Sequence, residues 1–362
     1  MSTHCCLNPQ CNHPPQPKSP QFCKSCGAQI LPLRNRYHPL KLLGQGGFGK
    51  TYLAEDLDKL QEKCVIKQLI PPSTDPGSLT KIKQLFTDEA RRLQELGYHS
   101  QIPTLLAYFE QNNHLYLIQE AIDGEDLAKE IKRSPIFTEP QIHIFLRDLL
   151  SILAVVHQHQ IIHRDIKPEN IIRRHHDGNL VLIDFGASKQ LTATAMSKAG
   201  TVIGSYGYTP LEQMGYGVAY PASDLYAVGA TCFHLLSGIH PAKAWEADGY
   251  QWTENWRKHI HQPLSQPLIN ILDKLLHQEY QQRYRSVEEL SPDLQLLGVE
   301  LSATPRIQLN QHSSIPTQVY SSAGNSVASK CLEEISPDDW FKVKKNTDSV
   351  WQRITHFLFE EH

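Results

Sequence analysis

Apolar and polar positions change rhythm several times along this chain. Leu40-Lys41-Leu42-Leu43 and Thr51-Tyr52-Leu53-Ala54 flank a glycine cluster, which predicts two strands joined by a glycine turn. Cys64-Val65-Ile66-Lys67-Gln68-Leu69 predicts a further strand with one lysine among apolar neighbours. Leu85 to Leu96 instead places Phe86, Leu93 and Leu96 on or near one face of an amphipathic helix. Leu115-Tyr116-Leu117-Ile118 predicts a strand that runs into a linker. Leu149 to His157 predicts a buried helix, and Ser223 to Gly229 opens another apolar one. Ile171-Ile172-Arg173 and Leu180-Val181-Leu182, with Asp177-Gly178 between them, predict a hairpin. Past Gly298 the regularity fades. Residues 299–330 read as a polar linker. Residues 331–362 predict a helical segment, with Ser336-Pro337-Asp338 at its start and Val350, Trp351, Ile354, Phe357 and Leu358 as an apolar stripe.

Composition narrows the classes. The net charge of −3 argues against a nucleic-acid-coating surface, and no nucleic-acid partner is expected. The best candidate for a membrane span, Leu146 to Val156, is too short and is interrupted by Arg147 and Asp148. The N-terminal residues lack the basic and apolar regions of a signal peptide, so a cytoplasmic chain without a membrane partner is expected. Five of the eight cysteines, Cys5, Cys6, Cys11, Cys23 and Cys26, crowd the first 26 residues.

That head, residues 1–35, is too short to bury a core of its own and needs a staple. Two cysteine knuckles can set four thiolates around one structural Zn²⁺, and Gly27 suits a knuckle turn. Cys6, Cys11, Cys23 and Cys26 are the favoured ligands. Cys5 competes with Cys6, and His4 or His13 could substitute. A Pro-rich tail with incidental thiols and a redox switch remain alternatives.

The densest chemistry lies in His163-Arg164-Asp165-Ile166-Lys167-Pro168-Glu169-Asn170. Asp165 can accept a hydroxyl proton, Lys167 can neutralise a phosphate oxygen, and Asn170 can offer a carbonyl oxygen to a hard cation. The plainer alternative is a polar loop capped by Pro168, with Asp165 stabilising a turn. Downstream, the strand ending at Ile183 delivers Asp184-Phe185-Gly186. Upstream, Gly44-Gln45-Gly46-Gly47-Phe48-Gly49 lets backbone approach phosphates closely. A dinucleotide-binding turn shares that spacing but requires a helix next, whereas Thr51-Tyr52-Leu53 reads as strand.

In this order the motifs resemble eukaryotic-type Ser/Thr protein kinases of the bacterial, cyanobacterial-like kind, from about Tyr37 to Gly298. The resemblance implies an α+β, two-lobed kinase fold, with a small β-rich N-lobe and a larger helical C-lobe over residues 36–298. It implies that ATP lies against Gly44, Gln45, Gly46, Gly47, Phe48, Gly49, Thr51, Val65, Glu120, Ile122 and Asp126, with Gln119 gating the deeper pocket. Lys67, paired with Glu89, would hold the α- and β-phosphates. Asp165, Lys167 and Asn170 would act at the transferred phosphoryl group. Asn170 and Asp184 would ligate Mg²⁺ or Mn²⁺. Asp224 would anchor the catalytic loop, and Glu212 would pair with Arg283. Arg164 could bind a phosphate on the loop between Asp184 and Glu212, with Thr201, then Ser197, favoured over Thr192 and Thr194; Ser205 would contact the catalytic Asp and Lys. Thr51 replaces the usual Val, Val65 the usual Ala, and Leu211 the Pro of Ala-Pro-Glu. The expected function is transfer of the γ-phosphate of ATP to protein Ser or Thr hydroxyls, with autophosphorylation. The alternative is a pseudokinase scaffold binding partners through the zinc head and the C-terminal helix.

Overall fold

Glycine and alternating side chains build the first layer. In a computed structural model, which describes residues 3–11, 16–17, 21–46, 49–71, 75–97, 99–185 and 206–301, β1 (Tyr37–Gly46) folds back on β2 (Gly49–Asp56). Their antiparallel register runs from Tyr37↔Asp56 to Gly46↔Gly49. β3 (Glu62–Leu69) pairs with β2, and β4 (Leu105–Gln111) and β5 (His114–Glu120) complete a sheet of order β1-β2-β3-β5-β4. Between β3 and β4 lies α1 (Pro76–Leu96), capped by Asp75, whose carboxylate accepts from the Ser78 N–H at 2.9 Å. The helix is longer than its periodicity suggested, because its first turns carry few apolar residues. Its buried stripe is Ile82, Leu85, Phe86, Glu89, Ala90, Leu93 and Leu96.

Residues of a strand alternate between the two faces of a sheet. Lys50, Tyr52 and Ala54 of β2 therefore share a face with their register partners Gln68, Ile66 and Cys64 of β3. Thr51 and its partner Lys67 share the opposite face. The first face is not left to solvent. Tyr52, Ala54, Cys64 and Ile66 join Tyr37, Phe109, Tyr116 and Ile118 in one core with Cys5 and Leu33 from the cysteine-rich head. The Cys5 N–H also donates to the Pro39 carbonyl at 2.9 Å. The head thus borrows the sheet's apolar face, which offsets its inability to build a full core alone.

The second layer is helical. After β6 (Gly124–Asp126) and α2 (Leu127–Arg133), α3 (Glu139–Gln158) runs through the C-lobe with Leu149, Leu150, Ile152 and Leu153 buried. β7 (Ile171–Arg174) and β8 (Leu180–Leu182) form the expected hairpin around Asp177-Gly178, and β6 joins as the third strand. Then come α4 (Leu211–Tyr216), α5 (Pro221–Ser237), α6 (Pro241–Asp248), α7 (Gln266–Leu275) and α8 (Val287–Leu296). Fifteen of the seventeen α5 residues are buried, so it needs packing partners on all sides. At Gly229 an added Cβ would lie 2.9 Å from the Leu275 side chain, which is why this contact with α7 takes a glycine. The result is the α+β, two-lobed kinase fold. Gly47, Phe48, Gly186, His13, the loop residues Thr192, Thr194, Ser197, Thr201 and Ser205, and the C-terminal helical segment lie outside the described residues.

One polar cluster ties this core to pH. Tyr208 hydrogen-bonds His234 Nδ1 at 2.5 Å. Burial, with His240 adding to it, pushes the His234 imidazole down to about 4. An unfolded histidine titrates near about 6.5, so between these values the unfolded chain binds more protons than the folded one. Stability from this group is therefore full above about 6.5 and is lost as pH falls toward about 4. Thermal melts should fall in midpoint across that window, and His234→Gln should flatten the slope; an unchanged slope in His234→Gln would assign the effect to other groups.

Candidate active site

The inner face of the sheet presents Lys67. Its ammonium pairs with Glu89 Oε1 of α1 at 2.5 Å and with the carboxylate of Asp184. Burial alone would favour the neutral amine, but the Asp184 and Glu89 carboxylates outweigh it and hold the Lys67 pKa above its usual value. The reciprocal effect holds Asp184 down: burial favours its acid form, and Lys67 outweighs that. Three separate segments, β3, α1 and the residues after β8, meet at one nitrogen. Asp184 reaches it with φ of 61°, in the left-handed region that non-glycine residues seldom occupy.

The loop from His163 to Asn170 is held from below. Asp224, in the first turn of α5, is 1 % exposed. One of its carboxylate oxygens accepts from the His163 N–H at 2.8 Å and from His157 Nε2 at 2.9 Å. The other accepts from the Arg164 N–H at 2.8 Å. These bonds hold Arg164 at φ of 71°, a strained conformation that sterics alone would reject. His163 Nε2 meets the Ile183 carbonyl at 3.0 Å, its ring makes a T-shaped contact with Phe185 at 4.8 Å between centroids, and burial pushes its pKa down. Nδ1 then accepts from the Asp165 N–H at 3.3 Å, so a single neutral tautomer satisfies both ring nitrogens.

Within the loop, Asn170 Nδ2 donates to both the Asp165 backbone carbonyl and Asp165 Oδ2 at 2.8 Å. That fixes which end of the amide faces Asp165 and turns its carbonyl oxygen elsewhere. Lys167 Nζ lies 3.4 Å from Asp165 Oδ2. Asp165, Lys167 and Asn170 are thus brought together, and Lys67, Glu89 and Asp184 form a second group. Asn170 and Ile183 join the two, since the Ile183 N–H donates to the Asn170 carbonyl at 2.9 Å. The oxygens of Asn170 and Asp184 are the donor type that a hard divalent cation takes, so this set fits Mg²⁺.

The remaining sequence-derived positions fall as follows. Gly44, Gln45 and Gly46 end β1, and Gly49 opens β2 where an added Cβ would collide with the Gln68 carbonyl. Val65 pairs in register with Gln119, which is buried at the end of β5. The Glu120 N–H is committed to the Thr104 carbonyl at 2.9 Å, so any adenine contact by Glu120 falls to its carbonyl. Ile122 is half-buried in the linker. Asp126 caps α2, accepting from the Lys129 N–H at 2.9 Å and pairing with the Lys129 ammonium. Arg283, with a fully buried side chain, donates to Glu212 at 2.8 and 3.3 Å, and Ser223 donates to the same carboxylate at 2.7 Å.

Some contacts carry no motif. Gln213 donates from its amide to the Arg164 carbonyl at 2.8 Å, and Arg92 donates to the Phe185 carbonyl at 3.0 Å. Lys50 and Gln68 bind the head from the back of the sheet. Strand phase was the available signal for that pair, since it puts both on the side of Tyr52 and Ile66.

In the head, the sulfurs of Cys6, Cys11, Cys23 and Cys26 all lie within 4.8 Å of one another. Cys6 to Cys26 is 3.6 Å and Cys11 to Cys23 is 3.7 Å. Zn–S bonds of about 2.3 Å in a tetrahedron give sulfur separations of about 3.8 Å, so these two pairs fit such a centre and the four thiols are a set that can hold a metal ion. It is far too open for disulfides. Cys5 points instead into the core shared with the sheet.

Fold and site together define a protein kinase domain. The chain belongs to the protein kinase domain family, whose model matches residues 37–292. It is 39% identical over 300 residues to serine/threonine-protein kinase B of Synechocystis sp., covering 80% of this chain and 51% of that protein. It is 41% identical over 285 residues to serine/threonine-protein kinase F of the same organism, covering 75% and 57%. Serine/threonine-protein kinase PknA of Nostoc sp. is 39% identical over 288 residues, 78% of this chain and 50% of that protein. The chain therefore spans about half the length of these curated relatives. Among solved structures, the apo form of PpkA-294 matches in fold with a TM-score of 0.59 at 24% identity, over 72% of this chain and 96% of that one.

Proposed function

We propose that this chain is an ATP-dependent Ser/Thr protein kinase that transfers the γ-phosphate of Mg-ATP to protein hydroxyls. The observation that carries the reading is Lys67, tied to Glu89 and Asp184, beside a loop in which Asn170 orients Asp165. Lys67 is the cation for the α- and β-phosphates, and the glycine hairpin covers them with backbone N–H groups. The nucleotide's base lies between Val65, Thr51 and the Glu120–Ile122 linker, with Asp126 toward the ribose. Asp165 takes the proton of the substrate hydroxyl at a carboxylate oxygen. Lys167 neutralises charge on the phosphoryl group in transit. Asn170 and Asp184 hold Mg²⁺, or Mn²⁺, which when bound neutralises the phosphate oxygens. Since the transition state is loose, positioning and charge are the main contributions the protein can make.

Regulation belongs to the same reading. Burial and the neighbouring Arg92 push the Arg164 guanidinium pKa down, and the Asp224 carboxylate offsets part of that. Arg164 directly precedes Asp165, and its guanidinium would pair with a phosphate on the loop before Glu212 and order that loop. The acceptors favoured for it, Thr201 and Ser197, lie outside the described residues. We assign residues 1–35 as a zinc-ribbon-like head, 36–298 as the kinase domain, 299–330 as a linker and 331–362 as a helical segment. The ligand set Cys6, Cys11, Cys23 and Cys26 holds one structural Zn²⁺, and thiols kept for a metal suit a cytoplasmic protein. Head and C-terminal segment are the surfaces for protein partners. Among the described residues no helix is long and apolar enough to cross a membrane.

Two measurements test this. With labelled ATP and mass-spectrometric mapping, Asp165→Asn should lower phosphoryl transfer by about a hundredfold to ten-thousandfold while leaving ATP binding nearly unchanged. Transfer at the wild-type rate would remove Asp165 from its role. Elemental analysis should find one zinc per chain, lost in Cys11→Ser with Cys23→Ser; equal zinc in both proteins, or none in either, would remove the metal site.

A further inference from the structure

Lys50 follows the last glycine of the phosphate-binding turn, a position on a strand where a lysine would ordinarily extend into water. Here it is 3 % exposed. Its ammonium donates to the Pro9 carbonyl at 2.8 Å and to the Cys11 carbonyl at 2.8 Å. Both acceptors belong to the first cysteine knuckle. Its register partner across the strands is Gln68, 1 % exposed, whose amide donates to the Leu7 carbonyl at 2.8 Å. Gln68 also donates to the Tyr116 hydroxyl at 3.2 Å and accepts from the Tyr52 hydroxyl at 3.5 Å. One rung of the sheet therefore grips three carbonyls of the head, those of residues 7, 9 and 11.

The next rung is Thr51↔Lys67, which faces the opposite way, into the cleft. In a pleated strand the two rungs are about 3.3 Å apart along the chain and share backbone, so fixing one restrains the other. On the far side of Lys50 the chain enters the glycine turn. At its base, ideal Cβ atoms at Gly44 and Gly46 would meet nothing within 4 Å, whereas one at Gly49 would collide with the Gln68 carbonyl, so the close contact there is with the Gln68 rung. Gln45↔Lys50 is the register pair next to the Gly46↔Gly49 pair that closes the turn. The restraint on its base thus comes largely from behind. A buried ammonium is costly unless well paired, so its placement under the head needs a gain to offset that cost.

We propose that Lys50 and Gln68 are positioning residues, through which the cysteine head holds the base of the glycine hairpin and the Lys67 rung and so sets the affinity for the phosphates of ATP. The head then acts on the nucleotide site through the sheet. The inference rests on the ATP-binding reading above and not on which metal the head holds. It makes a distinction that general damage to the fold does not. The hairpin and Lys67 meet the phosphates, whereas adenosine meets only Thr51 of the restrained rung and is otherwise held by Val65 and the linker between the lobes.

The test uses the full chain and its Lys50→Met and Lys50→Arg variants, with isothermal titration calorimetry of Mg-ATP and of adenosine. Lys50→Met should weaken Mg-ATP by about fivefold, the scale of one ordinary hydrogen bond, and raise the KM for ATP more than it lowers kcat. Adenosine affinity should stay within about twofold, since no phosphate is involved. Lys50→Arg, which keeps charge and donors, should recover most of the Mg-ATP affinity. Zinc per chain should be equal in all three proteins. If Lys50→Met fails to fold, Gln68→Met in the same assays takes its place, with the same expected direction. Unchanged Mg-ATP affinity in a folded variant, or equal weakening of adenosine, overturns the inference. A wild-type chain that binds no Mg-ATP removes the kinase reading and this inference with it, whereas binding by wild type with no change in the variants removes the inference alone.

Discussion

Everything in the cleft depends on one buried nitrogen. Lys67 is charged because two carboxylates from distant segments, Glu89 and Asp184, converge on it. Glu89 is 6 % exposed, a place where a carboxylate is costly without a cation beside it, and both carboxylates favour the charged ammonium against burial. The cluster ties the sheet to α1 and to the strand that leaves the C-lobe hairpin. A nucleotide triphosphate and its metal bring charges of both signs to this point, so binding can redistribute the pairing without leaving any group bare.

A second buried carboxylate plays the same part from below. Asp224 collects two backbone N–H groups and one imidazole, and in doing so fixes the strained Arg164 and the orientation of Asp165. Local structure here is written by a residue about sixty positions away. The Glu212–Arg283 pair does likewise for α4, whose Gln213 reaches back to the Arg164 carbonyl. The loop from His163 to Asn170 is irregular, and two helix-borne side chains, Asp224 and Gln213, satisfy its backbone at His163 and Arg164.

Much of this was legible in the chain. The glycine turn followed by strand residues told a kinase hairpin from a dinucleotide turn, because Thr51-Tyr52-Leu53 could not open a helix. The hairpin around Asp177-Gly178 and the buried helix from Leu149 followed from turn chemistry and apolar density. What motifs alone did not reveal was long-range. The start of α1 at Pro76 was hidden because its first turns bury little. Competition between Cys5 and Cys6 could not be resolved by spacing; in the structure Cys5 enters the core under the sheet and Cys6 joins the cysteine cluster. The head's seat on the sheet was missed because Lys50 and Gln68 are polar, and polar residues on a strand are read as facing water unless their phase with Tyr52 and Ile66 is weighed.

The central claim is that Lys67, held by Glu89 and Asp184, makes this cleft a phosphoryl-transfer site. The most direct measurement is the steady-state rate of phosphate transfer from ATP to a Ser/Thr protein substrate by folded Lys67→Met, with the wild type beside it. The account predicts a fall in kcat/KM for ATP of at least about a hundredfold, since the phosphates lose both their cation and their alignment. A rate within a few-fold of wild type, in a protein with an unchanged circular dichroism spectrum, would contradict it.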